Sequence, residues 1–254
     1  MPRFKLILEY DGERYKGWQV HRSDRTVMGE LIGACRKVFL DDPFELYAAE
    51  RTDIGIHALW QVVHIDVKTL FSPYIIMRQL NDNLPPDINL LQIDEAPNPF
   101  HAAHDVAARS YVYQISKRRH AFGKKFMWWI KDELDVELMQ KAANLFVGQH
   151  NFRSFVANPE QHTANTEVLL CKVHEYGSML YVHLVARYFY PKMERRIVGT
   201  LVDVGREKIS LDMIRQLLAA PAETKLLTAP PAGLFLERIY YGTEPIDDKF
   251  QTLF

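Results

Sequence analysis

Cysteine is nearly absent from this chain of 254 residues: Cys35 and Cys171 are the only two, which excludes a disulfide framework and a cysteine-rich zinc centre. Both read as small buried apolar side chains in a reducing compartment. No uninterrupted apolar run approaches the ~20 residues that a membrane-spanning helix needs. The opening MPRFKLILEYDG turns acidic too soon for a secretory signal. No membrane partner is expected, and the expected localisation is cytoplasmic. Charge of one sign is not in excess either, with 31 Lys+Arg against 32 Asp+Glu and a net charge of −1. That total neither favours nor disfavours a nucleic-acid partner, because the distribution of charge matters more than its sum. Gly/Ser-rich linkers, low-complexity tracts and short tandem repeats are missing, which argues for a compact body without a flexible tether.

Several chemical signatures are missing as well. There is no GxxxxGKS/T phosphate loop and no GxGxxG, so nucleotide-driven and nicotinamide chemistry lose their usual marks. No GxSxG elbow exists. His101-Ala-Ala-His104-Asp105 superficially suggests metal ligands, but HxxH is not the i, i+4 helical zinc spacing and no third ligand is evident. No metal is expected.

What is present is an ordinary globular composition, 48% hydrophobic and 25% charged. At roughly 100–200 residues per domain the length fits one large or two small domains. The Pro-rich stretch from Pro85-Pro86 to Pro97-Asn98-Pro99 divides the chain into an expected N-terminal half, 1–100, and a C-terminal half, 101–254. In the first half Phe4, Leu6, Leu8 and Tyr10 alternate with Lys5 and Glu9 up to the turn Asp11-Gly12, the pattern of a half-buried strand. Val27, Leu31, Ala34/Cys35 and Val38 recur at helical spacing. Val63, Ile65 and Val67 mark a second strand, residues 73–82 a helix and 88–94 another strand. In the second half 108–116 and 180–190 alternate, Leu180, Val182, Leu184 and Ala186 opposing His183, Val185 and Arg187. Helices are expected at 135–147, at 192–204 entered through Pro191, and at 211–219 capped by Ser210 and stopped by Pro221. Amphipathic strands favour an antiparallel or mixed sheet with helices on one face, so the class is α+β.

The stretch Glu50-Arg51-Thr52-Asp53-Ile54-Gly55-Ile56-His57 lies between two apolar β patterns, where a loop or strand end presents functional residues. Arg51 and Asp53 are two apart, and in extended backbone that spacing puts both side chains on one face. A neighbouring guanidinium lowers a carboxylate's pKa and fixes its direction, which suits a nucleophile. An Asx-type turn with an incidental salt bridge is the alternative at this level.

Basic residues cluster. Lys117, Arg118, Arg119, His120, Lys124 and Lys125 follow the strand carrying Tyr111 and Tyr113. Arg14, Lys16, His21, Arg22 and Arg25 form a second group, and Lys192, Arg195 and Arg196 a third. The acids gather elsewhere, at Asp41-Asp42, Asp132 to Glu137 and Asp247-Asp248. One basic cluster usually marks a solvated face. Three, interleaved with Tyr15, Trp18, Tyr111, Tyr113 and Phe122, fit a surface that tracks phosphates and stacks on bases.

Taken in order, these segments resemble the TruA family of tRNA pseudouridine synthases. Leu8-Glu-Tyr-Asp-Gly12 with Tyr15-Lys-Gly-Trp-Gln19 is similar to the family's opening strand and turn. Arg51-Thr-Asp-Ile-Gly-Ile-His-Ala58 and Gln61-Val-Val-His64 resemble its signature RTDxGVHA…QVVH. Asn83-Leu-Pro85 with Asp87-Ile88, Phe100-His-Ala102, Arg109-Ser-Tyr-Val-Tyr113 and Phe152-Arg-Ser-Phe155 follow in the family's order. Arg195-Arg-Ile-Val-Gly199 with Val204-Gly205, and Ala229-Pro-Pro-Ala-Gly-Leu-Phe-Leu236, complete the match. Any one of these is weak; so many in the right order is strong.

The resemblance implies the pseudouridine synthase fold, two similar α+β halves forming a curved mixed sheet, and a homodimer needing no metal or cofactor. It implies isomerisation of uridine to pseudouridine in tRNA, in the anticodon stem-loop, on a flipped-out nucleotide. Asp53 would be the nucleophile, at C1′ or C6; Arg51 would hold open the space the nucleotide leaves, and Arg195 would pair with Asp53. Tyr111 would stack on the uracil, with Arg109, His57, Leu234 and Leu236 around the substrate. Arg14, Lys16, Arg22, Arg118, Arg119 and the outward residues Lys192 and Arg196 would contact the RNA backbone. Departures from the family's pattern are Glu50 in place of Gly, Ala103 in place of Arg, Pro191-Lys192 in place of a His pair and Glu194 in place of Val. The changes at Ala103, at Pro191-Lys192 and at Glu194 fall on the expected RNA-contacting surface. The same chemistry on another RNA, and a non-catalytic RNA-binding module, are the competing readings.

Overall fold

The computed structural model describes residues 1–40, 42–97, 99–222 and 224–252. Asp41 of the acidic pair and Asn98 of the Pro-rich break lie outside the described residues. The fold is α+β, with mixed strand pairing, and the chain packs as two compact units. The first comprises Met1–Ala107 and Phe235–Thr243, the second Ala108–Leu234 and Glu244–Phe254.

In the first unit β1 (Arg3–Tyr10) is followed by α1 (Val27–Phe39), β2 (Phe44–Ala48), β3 (His57–Val67), α2 (Pro73–Asn83) and β4 (Ile88–Glu95). Strand β1 lies between β4 and β3, antiparallel to both, and β2 runs antiparallel along the far end of β3. Helix α1 starts where Thr26 Oγ1 accepts the Gly29 N–H at 3.2 Å, and it buries Val27, Leu31, Ala34, Cys35 and Val38 as the helical spacing requires. Helix α2 opens with Pro73 at its first position, where a missing N–H costs nothing, and packs on α1 and β4 through Ile76 and Leu80.

The second unit contains β5 (Val106–Ser116), from Ala108 onward, and the short β6 (Trp128–Trp129). These precede α3 (Val136–Phe146), β7 (Gly148–Asn151), β8 (Asn165–Tyr176), β9 (Met179–Ala186), α4 (Met193–Gly205) and α5 (Leu211–Ala219). Strands β5, β9, β8 and β7 pair antiparallel in that order, and β6 joins β5 in parallel. Asp135 and Ser210 cap α3 and α5 through their side chains, and α3 packs against β8, α4 and α5.

Two features differ from the sequence pattern. The chain does not divide by a single cut near residue 100. The last strand, β10 (Leu234–Tyr241), pairs in parallel with β3 at His57 and Ala58, so Phe235–Thr243 counts with the first unit. Strand β9, read as amphipathic, is buried along its whole length. Its polar face is covered because Phe250 packs at 5.1 Å from the His183 ring and 5.7 Å from Tyr181.

Candidate active site

The loop between Ala48 and His57 is built from beneath. Ala49 N–H reaches Val62 O at 2.8 Å and Gln61 Nε2 donates to Glu50 O at 2.9 Å, tying the loop's entry to β3. Thr52 turns inward and is nearly fully buried. Its hydroxyl shares a 2.8 Å hydrogen bond with Tyr10 Oη, and its carbonyl accepts the Trp18 N–H at 3.0 Å. Inward Thr52 leaves Arg51 and Asp53 outward and exposed, the alternation expected of extended backbone. The loop then closes in a β-turn, Ile56 N–H to Asp53 O at 3.2 Å, with Gly55 at φ +75. Glu50 does not project freely, because its Oε1 accepts the Arg51 N–H at 3.0 Å.

Two glycines of the 11–19 segment make this approach possible. A Cβ on Gly12 would stand 1.9 Å from Ile56 O, and one on Gly17, at φ +87, 2.9 Å from Thr52 O. His57, expected beside the substrate, lies in the floor instead. Its ring is 1% exposed and stacks on Phe235 at 4.8 Å, and its Nδ1 accepts the Gly12 N–H at 3.0 Å. The imidazole therefore braces the start of β3 against the Asp11-Gly12 turn. Tyr10, Gly12, Gly17 and Trp18 belong to the motif of the opening strand and turn, which the sequence reading gave no role in supporting this loop. The Asp-Gly and Lys-Gly-Trp pairs were their only signal.

In the second unit Arg109, Tyr111 and Tyr113 alternate along β5. Tyr111 is 3% exposed and meets Phe189 edge to face at 5.2 Å. Arg109 is also buried, donating to Arg187 O at 2.7 Å with its guanidinium 5.3 Å from the Tyr188 ring. Arg195 Nε donates to Ala229 O at 2.6 Å while Ala229 N–H returns to Arg195 O at 3.0 Å. The segment 227–233 is anchored further by Tyr113 Oη, which donates to Pro230 O at 2.7 Å. Gly199 and Gly233 let it press on α4 and β5; a Cβ on Gly199 would meet Leu227 O at 1.9 Å. Leu234 and Leu236 are both fully buried.

The members of the basic clusters differ in exposure and in the contacts they make. Arg14, Lys16, Arg22, Arg118, Arg119, Lys124, Lys125 and Lys192 are exposed. Arg25, also exposed, is engaged, bonding Glu30 at 2.7 Å and Tyr15 Oη at 3.0 Å. Lys117 pairs with Glu175. Arg196 is not outward, because it is half-buried and its Nη1 donates to Val156 O. Glu194, expected on the same outward face, is buried. His101 and His104 stack at 3.8 Å, and His101 Nδ1 accepts the backbone N–H groups of Ala103 and His104. Among the described residues no group of three His, Cys, Asp or Glu is placed to hold a metal ion. Among them, too, no helix is long and apolar enough to cross a membrane.

Comparison with known proteins adds to this geometry. A family profile described as tRNA pseudouridine synthase matches residues 142–242. The chain is 35% identical over 253 residues to a tRNA pseudouridine synthase A of Syntrophomonas wolfei, covering 98% of this chain and 100% of the relative. The protein of that name from Dictyoglomus thermophilum is 34% identical over 95% of this chain and 100% of its own. That from Listeria innocua is 33% identical, with the same coverage.

Proposed function

The chain belongs to the tRNA pseudouridine synthase A family, an isomerase family, and from that premise we propose that it converts uridine to pseudouridine in the anticodon stem-loop of tRNA, with Asp53 as the nucleophile. The observation that carries the reading is the loop at 50–56. An exposed carboxylate and an exposed guanidinium, two residues apart, sit on a backbone fixed through Thr52, Gly12 and Gly17. Such a platform suits a nucleophile that must meet a nucleotide flipped out of its stack, since extrusion costs a few kcal/mol and tolerates little misplacement of the attacking atom.

The reaction balances without redox or hydrolytic equipment. Asp53 adds at C1′ or at C6, the N1–C1′ bond breaks and a C5–C1′ bond forms. The proton leaves C5, N1 takes one up, and the carboxylate is released unchanged. The proposal includes Arg51 holding open the space the nucleotide vacates. On the strength of the resemblance it also includes Tyr111 as the stacking surface and Arg195 as the cationic partner of Asp53. What supports the last two within their own unit is rigidity: each side chain is held by a named neighbour, Phe189 and Ala229. A homodimer in the cytoplasm, acting without metal or cofactor, is part of the same reading.

The test is Asp53→Asn assayed on an unmodified tRNA transcript. The variant keeps size and polarity but lacks an anionic nucleophile. It should fold and bind as the wild type does and form no pseudouridine. Turnover within roughly tenfold of wild type, a barrier change under about 1.4 kcal/mol, defeats the assignment. Mapping the product in the wild-type reaction decides the target separately, since pseudouridine outside the anticodon stem-loop would overturn that choice alone.

A further inference from the structure

The second unit carries a cleft of about 400 Å³ that the chemistry above does not use. Arg153, Arg196 and Lys225 line it, together with Ser154, Ala222 and Thr224. Its frame is rigid. Phe152 and Phe155 are fully buried on either side of Arg153-Ser154. Ser154 Oγ donates to Leu217 O at 3.1 Å and accepts the Ala222 N–H at 3.1 Å, tying the two walls together.

The charges in this frame are unbalanced. Arg196 is half-buried, its Nη1 is held by Val156 O, and its buried Nε has no hydrogen-bond partner. Among the described residues no carboxylate lies within ion-pair reach of Arg153, Arg196 or Lys225. Glu160 lines an adjoining hollow of about 190 Å³ with Arg153 and makes no ion pair. Partly buried cations are ordinarily paired, because taking an uncompensated charge out of water is expensive. Arg196 is such a cation, and the exposed Arg153 and Lys225 beside it add positive charge that, among the described residues, no carboxylate within ion-pair reach offsets; the cleft suits an anionic ligand. The lining has no aromatic platform for a base and no large aliphatic wall for an apolar ligand. Arginine favours the fork geometry of a phosphate.

We propose that this cleft holds a backbone phosphate of the RNA substrate, contacted without regard to sequence. The proposal rests on the reading above for the identity of that RNA. It brings in Arg153 and Lys225, which lie outside the three basic clusters, and gives Arg196 a place inside a site instead of on an outer face.

The experiment measures affinity for an unmodified tRNA transcript across a salt series, comparing wild type with the double reversal Arg153→Glu/Lys225→Glu. Both side chains are exposed, so the fold should survive, and thermal melting checks it. The double reversal should lower affinity at least tenfold at about 100 mM salt and reduce the log–log salt slope by roughly 2, as expected when about two phosphate contacts are lost. Pseudouridine formation at saturating tRNA should stay within about twofold of wild type. Glu160→Gln should tighten binding. Unchanged affinity and slope in the double reversal would overturn the proposal. So would inorganic phosphate binding to the wild type, lost in the double reversal while tRNA affinity stays intact, because the site would then serve free phosphate. A wild type that binds the transcript but forms no pseudouridine would count against the isomerase reading and leave the binding comparison intact.

Discussion

Tyr10 and Thr52 share a hydrogen bond of 2.8 Å buried directly beneath a loop whose next residue, Asp53, is exposed. The phenol belongs to the end of β1 and the hydroxyl to the loop, so the loop's height above the sheet is set by a strand more than forty residues away. Burial raises the Tyr10 phenol well above its ordinary pKa and keeps it neutral.

Tyr10→Phe should therefore act on rate and not on RNA binding. Removing the phenol leaves Thr52 Oγ1 without its partner in a buried place, a cost of about 1–3 kcal/mol in stability. With Asp53 less firmly aimed, kcat should fall roughly tenfold at nearly constant KM, a barrier change of about 1.4 kcal/mol. Steady-state kinetics on a tRNA transcript checks this, and a rise in KM with kcat intact would refute it.

The glycines give a contrast within one protein. Gly12→Ala places a methyl against Ile56 O and should destabilise by about 1–3 kcal/mol while lowering activity. Gly33 lies inside α1 with open space around its Cα. Gly33→Ala should therefore stabilise by about 0.5–1 kcal/mol and leave activity alone. Urea unfolding of the two variants beside wild type reads both signs.

Tyr111 separates packing from chemistry. Tyr111→Phe keeps the edge-to-face contact with Phe189, so stability and RNA binding should hold while isomerisation slows. Tyr111→Ala opens a cavity in a buried strand and should cost about 3–5 kcal/mol. Wild-type turnover in Tyr111→Phe would confine the residue to packing.

Acid should loosen both units. Burial, followed by nearby positive charge, pushes His64 and His183 down to about 4. In the unfolded chain both return to about 6.5. Each is thus neutral when folded, and its contribution is complete above about 6.5 and lost as pH falls toward 4, on the order of 1–3 kcal/mol per histidine. Chemical denaturation at pH 7.5 and pH 5 should show the loss, and the His64→Gln/His183→Gln protein should show less of it. Equal losses in the two proteins would place the acid sensitivity elsewhere.

Much of this was legible in the residues. The helices at α1, α2, α3, α4 and α5 follow from periodicity plus caps, because Thr26, Asp135 and Ser210 satisfy N–H groups that any helix start leaves open. Arg51 and Asp53 were placed on one face by the two-residue repeat of extended backbone. Strand β8 was not foreseen. Its pairing to β9 shifts register between Val168 and Leu170, which breaks the alternation a pattern search needs. His57 and Arg196 both turn inward, for a shared reason. Motif position says which residue type is present, but only packing decides whether a polar side chain turns toward solvent or spends its hydrogen bonds on backbone, as both do here. The cleft at Arg153 and Lys225 was invisible because its walls are joined by Ser154 across a separation of 68 residues.

The return of β10 to the first unit also sets an order of events during synthesis. Phe235 pairs with His57, so the His57–Ala58 end of β3 waits for its neighbour while all of Ala108–Leu234 is translated. Throughout that interval the nascent chain carries an open strand edge, the kind that recruits other chains. A message truncated after residue 234 should consequently yield a chain whose earlier part keeps that open edge and aggregates, so quality control of this protein depends on its last strand being made.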